Sequence, residues 1–82
     1  MVEVFKTNVT ELVHAIWLVD QIHQNFVGYK ANFDLDDCDK ILRVKCAKGL
    51  IDATELINLI KVSGFDAQVL PDELPVSSLA GI

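Results

Sequence analysis

Thiols and prolines are scarce in this chain: two cysteines, Cys38 and Cys46, and two prolines, Pro71 and Pro75, in 82 residues. So few cysteines exclude a disulfide framework, and in a reducing compartment both would be free thiols. The first 70 residues hold no proline, so nothing of that kind interrupts strands or helices before Pro71. Basic residues are also few, with Lys and Arg numbering 7 against 12 Asp and Glu and a net charge of -5. Nucleic-acid binding rests on clustered Lys and Arg that displace counterions from phosphates, and here the basic residues are scattered, so no nucleic-acid partner is expected. The chain also lacks a long apolar run. Val9 to Val27 is broken by Glu11, His14, Asp20, Gln21, His23, Gln24 and Asn25, which excludes a bilayer span and leaves an amphipathic helix. The opening residues run from Met1 into a strand pattern without a charged and then apolar leader, so a cytoplasmic location is the default expectation.

What is present is half apolar, at 51 %. That amount suits a globular domain, and a chain this short carries one modest core. Val2 and Val4 alternate with Glu3 in a first strand ending at Thr7. Asn8-x-x-Glu11 has the form of a capping box for a first helix, in which Leu12, Ile16, Val19, Ile22 and Phe26 recur as the expected buried stripe. Gly28 stops that helix. Tyr29, Ala31, Phe33 and Leu35 then alternate with Lys30, Asn32, Asp34 and Asp36 in a second strand, and Asp36-Asp37-Cys38-Asp39 forms a polar turn. A third strand follows with Leu42, Val44 and Cys46 inward. Asp52-x-x-Glu55 opens a second helix with Leu56, Ile57 and Ile60 buried and Gly64 at its end; Phe65, Ala67 and Val69 read as a fourth strand. The order strand, helix, strand, strand, helix, strand predicts an α+β, ferredoxin-like βαββαβ sandwich: a four-stranded antiparallel sheet with two helices on one face. Residues 1–70 form this domain, and 71–82 are expected to be a frayed C-terminal tail.

On Leu56, Ile60 and Gly64-Phe65-Asp66-Ala67, supported by Val2, Val4 and Ile16, residues 1–70 resemble the heavy-metal-associated domains of copper chaperones and of heavy-metal-transporting P-type ATPases. The family's activity lies in a Met-Thr-Cys-x-x-Cys loop that holds a soft metal between two thiolates. Aligned on Val2 and Val4, the Met and Thr positions fall on Thr7 and Asn8, and the cysteine positions on Val9 and Leu12. Valine and leucine offer no lone pair, and soft ions select thiolates, so the resemblance implies the fold without metal carriage and no cofactor. In place of a metal loop, Asn8 and Glu11 would cap the helix while Val9 and Leu12 turn inward.

Other candidates are weak. Cys46 is read as a small buried hydrophobe, and Cys38 lies in an acidic turn that does not favour a thiolate nucleophile. The stretch from Asp34 fails the calcium-loop pattern, with Asp39 at the sixth position where Gly is needed and Lys45 at the twelfth where Glu is needed. His14 and His23 are two and a half turns apart, roughly 13 Å along a helix, and cannot share a metal. No phosphate loop, nucleophile elbow or acid pair is visible, so no catalytic residue and no enzymatic activity is expected. Val13 and Trp17, four residues apart on a helix flank, are expected to pack against the sheet edge; the alternative is that they form a candidate surface for a protein partner or for self-association. The open sheet face should carry Lys30, Asn32, Asp34, Arg43, Lys45 and Asp66, a solvated set unlike the aromatic, basic face of RNA-binding sheets. The reading is an interaction or regulatory module related to heavy-metal transport proteins; a small-ligand-binding regulatory domain of the ACT type, which shares the topology, is the alternative.

Overall fold

A computed structural model describes residues 1–70; the expected tail, 71–82, lies outside the described residues. Six elements follow in order: β1 (Val2–Thr7), α1 (Leu12–Asn25), β2 (Tyr29–Asp34), β3 (Ile41–Cys46), α2 (Ala53–Val62) and β4 (Ala67–Val69). The strands form one antiparallel sheet in the order β2-β3-β1-β4, which puts β2 and β4 at its edges. α1 packs on β2 and α2 on β4, and the helices touch each other. Phe5, Leu42 and Val44 from the sheet meet Ala15, Leu18 and Ile22 of α1 and Leu56 and Ile60 of α2 in a single core.

Side chains directly opposite in an antiparallel ladder share a face. Phe5, Leu42 and Phe33 line up across β1, β3 and β2, as do Val44 and Ala31, and these point toward the helices. The alternations of β2 and β3 therefore run as their sequences predict, with Cys46 buried and Leu35 just beyond the end of its strand. β1 differs. Its buried residues are Phe5 and Thr7, whereas Val2 and Val4 lie opposite Lys45 and Arg43 on the face away from the core. The alternation of Val2 and Val4 about Glu3 marks the strand without fixing its face, and the larger Phe5 takes the core position.

The phase of α1 also differs from its expected stripe. Ala15, Leu18 and Ile22 are buried, Val19 and Phe26 lie at the margin, and Leu12 and Ile16 face solvent. The cause is an excess of apolar residues: more than half of the helix circumference is apolar, so periodicity allows several stripes. Ala15 lets the helix approach the sheet closely, and the other positions follow.

The expected capping box of α1 is not formed. Glu11 occupies the N-cap with extended backbone and no side-chain cap bond. Asn8 instead ties the entrance of α1 to the entrance of β4: its Oδ1 accepts from the Asp66 amide at 2.8 Å and its Nδ2 donates to Asp66 Oδ2 at 3.3 Å. In α2 the Asp52 half of the expected capping box forms, its carboxylate accepting from the Glu55 amide at 3.1 Å, while the Asp52 amide donates to Tyr29 Oη at 2.7 Å and not to Glu55. That helix ends at Gly64, whose φ of 99° suits a residue without Cβ. β4 starts at Ala67, leaving Phe65 half-buried before it. Among the described residues no helix is long and apolar enough to cross a membrane.

Candidate interaction surface

The rotation of α1 that buries Ala15, Leu18 and Ile22 exposes a cluster of large apolar side chains. Leu12 and Val13 are 67 % exposed, Ile16 61 % and Trp17 48 %. At positions i, i+1, i+4 and i+5 these four are neighbours on two successive turns and form one patch. Scattered surface hydrophobes are ordinary; a contiguous group is a candidate contact surface. Val13 and Trp17, expected in the first place to pack against the sheet edge, stand exposed on a flank four residues apart. Leu12 and Ile16 belong to the same patch and were missed, because each also fitted a buried stripe. The available signal was the apolar excess itself, since one helix face cannot bury them all.

On the β2 side, Leu12, Ile16 and Val19 border a groove of about 220 Å³, closed below by Ala31 and Phe33 of the edge strand. His23 lies on the same flank, and its Nε2 accepts from the outward Ala31 amide at 3.1 Å. His14 is on the other flank, its ring centroid 5.2 Å from that of Phe65. Each histidine therefore has a structural contact, and the structure does not bring them together.

The positions aligned with metal-binding cysteines separate. Val9 is fully buried, as expected, and its amide donates to Thr7 Oγ1 at 3.2 Å. Leu12, expected to turn inward, instead opens α1 with its side chain in solvent. Because Glu11 is the N-cap, the helix begins beyond the loop, and Leu12 falls on its outer side. Neither carries a ligand atom. Asp37, Cys38 and Asp39 bring three such atoms within 4.8 Å of one another at an exposed turn. Asp37 Oδ1 accepts from the Asp39 amide at 2.9 Å, and Asp39 Oδ1 lies 3.8 Å from Lys6 Nζ.

No protein-family model, curated protein or solved structure matches the chain.

Proposed function

We infer that this chain is a ferredoxin-like domain, akin to the heavy-metal-associated domains but without their thiolates, and that it works by binding protein. The fold reading is supported by the strand order β2-β3-β1-β4 and by the two helices that share one core with the sheet. The observation that carries the binding reading is the exposed group Leu12, Val13, Ile16 and Trp17 on α1. Keeping four large apolar side chains in water on a domain with so small a core is unfavourable unless another surface covers them. Trp17 supplies the aromatic anchor that protein interfaces favour.

A photo-reactive side chain placed at Val13 tests this directly. In cells expressing the chain, Val13 should give a discrete protein adduct, whereas the same group at Lys61, exposed on α2, should give none. Absence of an adduct at Val13 would refute the interaction reading. The metal half has its own test. A Cu(I) competition titration under reducing conditions should show no stoichiometric binding, and one ion bound and then lost on Cys38→Ser or Cys46→Ser would contradict it.

A further inference from the structure

β2 is an edge strand, and its unused backbone groups can be identified. Met1 and Cys46 exchange both backbone bonds, at 2.8 and 2.9 Å, which fixes the phase of the ladder. Cys46, Val44 and Leu42 bond toward β1, so Lys45, Arg43 and Ile41 bond toward β2. Their partners Lys30, Asn32 and Asp34 are satisfied there, while Tyr29, Ala31 and Phe33 turn their backbone groups outward. The outward Tyr29 amide donates to Phe26 O at 3.4 Å and the Ala31 amide to His23. Phe33 has no such cover from α1.

The side chains of this edge are self-complementary. Lys30 and Asp34 stand two residues either side of Asn32, on the face away from the helices. Within its own sheet Lys30 lies opposite Lys45 and Asp34 opposite Ile41, and neither forms an ion pair among the described residues. A second β2 laid antiparallel with Asn32 opposite Asn32 would put each Lys30 across from the other chain's Asp34. It would also match outward Ala31 with outward Phe33. Opposite charges across strands attract, and a like-charged edge would repel itself. The same two-fold axis would bring the Leu12, Ile16 and Val19 borders of the two grooves toward each other, above the joined strands.

We propose that the β2 edge and the adjoining Leu12–Ile16–Val19 groove bind a second copy of this chain, forming a continuous sheet about a two-fold axis at Asn32. This rests on the reading of α1 as a protein-contact surface and commits its β2 flank to one partner. The His23 ring is a built-in competitor, because it occupies the Ala31 amide that the incoming Phe33 carbonyl needs. It must swing away on pairing.

Sedimentation of the full chain over a wide concentration range tests the proposal. The wild-type chain should pass from monomer to dimer. Lys30→Asp and Asp34→Lys are at exposed sites and should each weaken the dimer about tenfold, since by symmetry each turns two attractive contacts repulsive. The double variant K30D/D34K restores complementarity and should recover most of the loss. His23→Ala should tighten the dimer several-fold. A chain that stays monomeric throughout overturns the proposal, whether the groove takes another protein or its own residues 71–82. A dimer indifferent to the single charge reversals, one not rescued by the double variant, or one loosened by His23→Ala overturns it as well. A monomer that still gives an adduct at Val13 overturns only the second-copy inference; a monomer without one overturns both readings.

Discussion

Single residues decide how the first turn of this domain differs from a metal-binding loop. Val9 is sealed in the core and Leu12 stands in water, so the aligned positions do not even face a common site. Asn8 is a strut in place of the expected cap, joined by two side-chain bonds to Asp66, which is 58 residues away in sequence. Asn8→Ala should therefore lower stability by about 1 kcal/mol, as for a partly exposed hydrogen-bonded pair. Most of the loss should persist when Asp66 is replaced by Gly, because that change removes only the Nδ2–Oδ2 bond and keeps the residue-66 amide on Asn8 Oδ1. A double-mutant cycle read by urea unfolding should therefore return a coupling of no more than about 0.5 kcal/mol, and a coupling equal to the whole Asn8→Ala loss would mean that the bond to the Asp66 amide contributes nothing. The partnership could not be read locally. Asn8-x-x-Glu11 has the form of a capping box, and nothing nearby in sequence indicates that β4 will arrive beside it.

At the scale of elements, the two helices differ in how far their sequences specify them. α2 has a carboxylate cap, a buried pair at Leu56 and Ile60, and Gly64 to end it, and all three agree. Asp52→Ala should cost about 0.5 to 2 kcal/mol through the lost cap, measured as a shift in urea midpoint. α1 has no side-chain cap and too many apolar positions, so its existence was legible while its rotation was not. The inward phase of β2 and β3 was legible because alternation admits only two phases and the charged residues chose one, although Leu35 falls beyond β2 and buried Ile41 opens β3. In β1 the alternation of Val2 and Val4 about Glu3 marked the strand without choosing its inward face, which Phe5 takes. At the sheet edge, the Ala31 amide is held by His23. In a dilute sample His23→Ala should raise hydrogen exchange at Ala31 well above its wild-type rate while leaving the inward amides of Lys30 and Asn32 protected. Unchanged exchange at Ala31 would show that the ring does not guard the edge.

For the whole molecule, the element order and the antiparallel sheet were predictable from turn signals and periodicity, because each supersecondary unit has few chain paths open to it. The surface was less legible, since it is what remains after the core has been chosen. Of the apolar residues of α1, the core takes Ala15, Leu18 and Ile22, and the surface keeps Leu12, Val13, Ile16 and Trp17. The binding reading depends on this division.

Urea unfolding of two variants, at concentrations low enough to keep the chain monomeric, tests the division most directly. Leu18→Ala should lower stability by about 2 to 5 kcal/mol, as for a buried leucine, while Ile16→Ser should change it by no more than about 0.5 kcal/mol. The opposite order, with Ile16→Ser destabilising by several kcal/mol and Leu18→Ala tolerated, would mean that α1 buries the Leu12–Ile16 stripe and has no apolar face to offer a partner.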